Sequence, residues 1–122
     1  MTDTSPSALV RVAFEVCTAL ERAGTTAVLT GGSAATFYAP DAYQSFDIDF
    51  IITVRSESGD GAQALLDIGY SLKGDYYVHD RWPFPLEFPR GPLMIGQDHI
   101  TQWATANRDD KTLHVLTPND CV

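Results

Sequence analysis

The chain is poor in positive charge. Lysine and arginine together account for 8 of its 122 residues, against 16 aspartates and glutamates, for a net charge of −8. A protein that grips a long stretch of nucleic acid needs clustered lysine and arginine to neutralise phosphates. With two lysines in all, an extended nucleic-acid surface is excluded, and an anionic membrane is an equally poor partner. Cysteine is scarce as well. Cys17 and Cys121 stand near opposite ends, and neither belongs to a C-x-x-C or Cys/His cluster, so there is no zinc signature. No apolar run approaches the ~18 residues of a membrane span. The N-terminus has neither a basic start nor an apolar signal core. These absences lead us to expect a cytoplasmic protein with reduced thiols and no membrane partner.

What remains is ordinary for a globular domain: 44% hydrophobic and 20% charged residues. A chain of this length buries roughly two-thirds of its unfolded surface, enough for one core. We therefore read residues 1–122 as a single domain without internal repeats.

Hydrophobic spacing orders the elements. Ser5-Pro6 supplies a helix cap and a first-turn proline. Leu9, Val12, Ala13, Val16 and Leu20 then form an apolar stripe that ends near Gly24. Cys17 borders that stripe and reads as a buried thiol. Residues 27–30 are β-prone, and a short helix from Ser33 to Tyr38 stops before Pro40. Phe46 to Val54 is the strongest strand pattern. A helix is expected over 58–68 with Leu65 and Leu66 facing inward. Strands follow at 70–73 and 76–79 around Gly74-Asp75, at 86–88 and at 111–116, with a loop over 90–100.

Three features carry chemistry. Gly31-Gly32-Ser33 lies between a strand and a helix, where glycine allows close backbone approach and the helix start offers free N–H groups to phosphate. A tight strand-to-helix turn would read the same way. Asp47 and Asp49 alternate with Ile48 and Phe50. On a strand they would share one face, with Cα atoms roughly 6.5–7 Å apart, as a hard-oxygen site for Mg²⁺. Aspartate is depleted in strands, so such a pair has a cost that needs a reason. Glu87, a lone carboxylate in the short apolar run Leu86-Glu87-Phe88, could complete the site or pair with Arg81 or Arg90.

Together these residues resemble the signature of the nucleotidyltransferase (DNA polymerase β-like) superfamily. The resemblance covers about residues 27–88. Gly31-Gly32-Ser33-Ala34 and Ser45-Phe46-Asp47-Ile48-Asp49-Phe50 are similar to motifs of small bacterial nucleotidyltransferases, including toxin components of type IV toxin–antitoxin systems. The resemblance implies an α+β fold, the minimal nucleotidyltransferase fold with a mixed β-sheet flanked by helices. It also implies Mg²⁺ or Mn²⁺ as cofactor, with Asp47, Asp49 and Glu87 both catalytic and metal-binding, and Gly31, Gly32 and Ser33 binding the nucleotide. Two divalent ions roughly 3.5–4 Å apart would activate an acceptor hydroxyl for in-line attack on the α-phosphate of an NTP. The Gly32 N–H and the Ser33 hydroxyl would cradle the outgoing phosphates. The acceptor would be a tRNA or a protein, and an antitoxin would be the partner.

Relatives often carry Arg or Lys just before the paired aspartates. In this chain Ala42, Tyr43 and Gln44 occupy that stretch, and no basic residue lies between Arg22 and Arg55. Cationic help would come from Arg81 or Arg90. A catalytically inactive binding or regulatory module of the same fold is the alternative reading. A glycosyltransferase using Asp47-Ile48-Asp49 as its D-x-D site is a third, against which the short chain argues. His79, His99 and His114 have no ligand spacing and read as ordinary histidines. Ser33 is not set in the G-x-S-x-G elbow of a serine hydrolase. Trp82-Pro83-Phe84-Pro85 reads as a stiff cap on the core, or else as an aromatic wall for a base or partner. Leu116-Thr117-Pro118-Asn119-Asp120 resembles a helix start, so the natural protein is expected to continue into C-terminal helices.

Overall fold

The computed structural model describes residues 3–54, 61–88, 94–95, 98–99 and 103–117. Among them the order is α1 (Pro6–Arg22), β1 (Thr26–Thr30), α2 (Gly31–Tyr38), β2 (Ile48–Val54), α3 (Gly61–Asp67), β3 (Tyr70–Lys73), β4 (Tyr76–His79) and β5 (Leu86–Glu87). The small pair β6 (Met94–Ile95) and β7 (Asp98–His99) follows, then β8 (Ala104–Arg108) and β9 (Lys111–Val115). The fold is α+β. Seven strands form one mixed sheet in the order β3-β4-β5-β2-β1-β9-β8, while β6 and β7 pair separately. β1 runs antiparallel to β2 and parallel to β9, and β5 runs parallel to β2.

The first helix begins as its sequence indicates. The Ser5 hydroxyl accepts the Ala8 N–H at 3.2 Å, with Pro6 at the first turn. Beyond it, Gly24 takes φ +83, and its N–H donates to the Glu21 carbonyl. The helix touches both α2 and α3 and lies over β1 and β9. Its stripe buries Leu9, Val12, Ala13, Val16 and Leu20 against Ala27, Leu29, Ile48, Phe50, Leu113 and Val115. This one-sided core supplies most of the favourable burial.

At the centre of the sheet the β1–β9 ladder is short, with Val28 opposite His114 and Leu29 opposite Val115. Side chains of α1 take over where it ends. The Cys17 thiol donates to the Ala27 carbonyl and accepts the His114 N–H, both at 3.4 Å. The Thr18 hydroxyl accepts the Thr112 N–H at 2.9 Å and donates to the Thr112 carbonyl at 3.2 Å. Backbone groups that would otherwise be buried unpaired are thereby satisfied. Cys17 is fully buried, as expected, and burial pushes its thiol up to about 11.

Several expectations need correction. The strand expected from Phe46 starts at Ile48. The chain bends at Phe46 and Asp47, and Phe46 is 59% exposed. Leu66 is also exposed, and only Leu65 faces the core, because adjacent helical residues sit about 100° apart around the axis. The expected loop over 90–100 contains the β6–β7 pair. Strand β8 has no counterpart in the sequence pattern, since Ala104-Thr105-Ala106-Asn107-Arg108 has little apolar alternation. It is held by antiparallel pairing to β9, across a turn where Asp109 adopts φ +55. The helix expected over 58–68 is observed from Gly61, and residues 58–60 lie outside the described residues. So do Arg90, Cys121 and the expected helix start at Pro118. The Trp82–Pro85 run does close the core: Phe84 is fully buried and its carbonyl accepts the Tyr70 hydroxyl at 2.9 Å.

Candidate metal centre

The site lies where three strand ends meet. In the ladders Asp49 is opposite both Thr30, the last residue of β1, and Glu87 on β5. Ile48 and Phe50 enter the core, and so does Leu86. Alternation therefore turns Asp49 and Glu87 away from it, side by side on parallel strands. Asp47, in the bend just before β2, brings a third carboxylate. One oxygen from each of Asp47, Asp49 and Glu87 lies within 4.8 Å of the others. Asp47 reaches the cluster from the bend, not from an extended strand.

Hydroxyls hold these acids in place. The Ser45 hydroxyl lies 2.9 Å from the Asp47 carbonyl and 3.2 Å from its Oδ1. The Ser45 N–H donates to the Thr36 hydroxyl at 3.1 Å, which itself donates to the Gly32 carbonyl at 2.8 Å. Helix α2 thus fixes the loop that carries Asp47. The Ser33 hydroxyl donates to the Thr30 carbonyl at 2.8 Å and accepts the Asp49 N–H at 3.0 Å. Ser33 is fully buried. Its hydroxyl, expected to face phosphate, instead locks the start of α2 onto β2. Gly31 and Gly32 are exposed at that helix start, and Thr30 makes no side-chain cap there. A helix start of this kind leaves N–H donors and positive dipole beside the carboxylates. Gly31 adopts φ +62, and a Cβ there would sit 3.0 Å from Asp49 Oδ2. Only glycine meets both conditions comfortably.

Burial is the largest influence raising the Asp49 carboxyl, to about 7. The Asp47 charge, the hydrogen bond a protonated Asp49 shares with Glu87, and the Glu87 charge all push the same way. A cation binding here near neutral pH would have to displace the Asp49 proton. Three carboxylate oxygens this close together are the donor type that Mg²⁺ or Mn²⁺ takes.

Among the described residues, no ion pair joins Arg81 to Asp47, Asp49 or Glu87. Arg81 is exposed in the β4–β5 connection, where its backbone N–H donates to His79 Nδ1, and Arg90 lies outside the described residues. Sequence reasoning misses the positioning roles of Ser45 and Thr36. A short hydroxyl residue two positions before an aspartate is the signal that points to Ser45, since such side chains commonly bond nearby backbone. His79 and His114 are ordinary packed histidines. His79 Nδ1 accepts the Arg81 and Trp82 N–H groups, so Nε2 donates to the Ile68 carbonyl. His114 Nε2 meets Glu21 at 2.8 Å. The side chain of His99 lies outside the described residues.

Compared with protein-family models, curated proteins and solved structures, the chain has no match. Among the described residues, no helix is long and apolar enough to cross a membrane.

Proposed function

We propose that this chain is a metal-dependent nucleotidyltransferase core, moving a nucleoside monophosphate from an NTP to an acceptor hydroxyl. The observation that carries the reading is the convergence of Asp47, Asp49 and Glu87 within 4.8 Å of one another beside the glycine start of α2. The fold-level proposal is the minimal nucleotidyltransferase fold, within the α+β architecture described above.

Asp47, Asp49 and Glu87 would hold Mg²⁺ or Mn²⁺. When bound, the metal supplies Lewis-acid charge neutralisation of phosphate and activation of an acceptor hydroxyl. Ser45 keeps Asp47 turned toward Asp49. Ser33 pins the Asp49 backbone. Gly31 and Gly32 leave room and N–H donors for phosphate oxygens. With a metal bound, Asp49 would be held as the carboxylate that burial and neighbouring acids otherwise disfavour. Catalysis of this kind rests on positioning and charge neutralisation rather than on a protein nucleophile.

An acceptor tRNA or protein, action as a toxin and an antitoxin partner belong to the same proposal, supported by the motif resemblance alone. A second reading, a binding module that has lost activity, is favoured by the buried Ser33 hydroxyl and by the lack of any basic residue between Arg22 and Arg55.

Thermal unfolding with Mg²⁺ or Mn²⁺ and each NTP, on the wild type and Asp49→Ala, tests metal-dependent nucleotide binding. The expected result is stabilisation by an NTP only with divalent cation, lost in Asp49→Ala. No shift at millimolar NTP would overturn the proposal. AMP or NMP transfer to a tRNA or protein pool, scored with labelled NTP, separates the enzyme from the inactive module.

A further inference from the structure

Phe46 is an exposed large hydrophobic next to the site. Had β2 begun where the apolar pattern does, alternation would have sent Phe46 to the core side with Ile48 and Phe50. The chain bends instead, and Phe46 stands 59% exposed, one residue from Asp47. The backbone that presents it is held. The Ala42 and Tyr43 N–H groups both donate to the Ala39 carbonyl, the Ser45 N–H is bonded to Thr36, and the Gln44 side chain donates to the Thr4 carbonyl. A large apolar ring is therefore exposed on a held stretch of backbone, one residue before the first of three convergent carboxylates.

Charge decides what such a ring would meet. The segment between Arg22 and Arg55 has no cation for a triphosphate, and the chain as a whole carries −8. A ligand whose phosphates are held through metal and helix-start N–H groups needs its remaining affinity from a neutral contact. The flat face of a nucleobase provides one, because every base presents a π-face to an aromatic side chain.

We propose that Phe46 is the stacking surface for the base of the nucleotide held at the carboxylate site, an inference that rests on the nucleotidyltransferase reading. The contact tolerates all four bases, with purines favoured by their larger face. It makes the site select a nucleotide over a bare polyphosphate.

The test measures the affinity of α,β-methylene-ATP and of tripolyphosphate by calorimetry in Mg²⁺, for wild type, Phe46→Ala, Phe46→Trp and Leu72→Ala. Leu72 is similarly exposed but lies on β3 at the sheet edge, so its variant controls for loss of any surface hydrophobe. Phe46→Ala should weaken the nucleotide analogue roughly 5- to 150-fold and leave tripolyphosphate unchanged. Phe46→Trp should retain the nucleotide affinity, and Leu72→Ala should change neither ligand. Equal nucleotide affinity in wild type and Phe46→Ala overturns the inference while leaving the metal-site reading standing. Failure of the wild type to bind either ligand in Mg²⁺ overturns the metal-site reading and the inference with it.

Discussion

Replacing Asp49 with asparagine should make the metal-free protein more stable at pH 8, although it removes a residue from the heart of the site. The folded state raises the Asp49 carboxyl from 3.8 to about 7, chiefly by burial and then by the neighbouring acids. A raised carboxyl pKa means that the folded chain holds a proton the unfolded chain has already released. Stability is therefore highest below pH 3.8 with respect to this group. It falls as pH rises through the window up to about 7, and stays low above it. At about 1.36 kcal/mol per pKa unit, the ceiling on that loss is about 4 kcal/mol. Asp49 is only half-buried, so solvent screening reduces this to about 1–2 kcal/mol.

Asparagine keeps the shape and the backbone N–H that donates to Ser33, and its amide can donate to Glu87 as the carboxyl proton does. Urea or thermal unfolding in EDTA should show Asp49→Asn more stable than wild type by about 1–2 kcal/mol at pH 8. That corresponds to roughly 4–8 °C for a domain of this size. The gain should shrink at pH 5, where the folded wild type is protonated. Saturating Mg²⁺ should reverse the order at pH 8, because the cation stabilises the wild-type carboxylates and finds a weaker site in the variant. An equal difference at pH 5 and pH 8, or a destabilised variant in EDTA, would refute a destabilising Asp49 carboxylate.

Two more substitutions probe the scaffold. Gly31→Ala combines an unfavourable φ of +62 with a Cβ 3.0 Å from Asp49 Oδ2, so it should cost about 1–2 kcal/mol in unfolding experiments and weaken Mg²⁺ binding measured by calorimetry. Cys17→Ala leaves the buried His114 N–H without its acceptor, and should lower stability by about 1–3 kcal/mol in urea unfolding without altering Mg²⁺ affinity.

The parts of the fold legible from the chain are those in which local pattern and tertiary context agree. Helix α1 has a cap, a first-turn proline, an apolar stripe and a terminal glycine, all pointing the same way, and it forms as read. The β3–β4 hairpin is similarly marked by Gly74-Asp75, where Gly74 takes φ +65. Strand β8 is different. Its residues have little intrinsic β character, and it exists because β9 offers an edge to pair with. The start of β2 goes the other way. Phe46 has the residue type of a strand, but Ser45, bonded to both Thr36 and Asp47, commits the chain to a bend. Hydrogen bonds set by the surrounding fold override local propensity in both cases.

The same bend explains why the acids are legible in the chain while their arrangement is not. Period-two alternation correctly separates Asp49 from Ile48 and Phe50, because those two neighbours have a core to enter. It cannot see Glu87, which becomes the partner of Asp49 only through the parallel register of β2 and β5. Nor can it see that Ser33 spends its hydroxyl on Thr30 and Asp49. A buried serine bonded to two backbone groups is worth more to the site as a brace than as a phosphate donor, since exposing it would leave the Asp49 N–H unpaired. Under the proposed function, phosphate would then be met by backbone N–H groups and metal rather than by the Ser33 hydroxyl. Affinity at such a site should depend steeply on divalent cation and on pH near 7, where the Asp49 proton and the cation compete for the same oxygen.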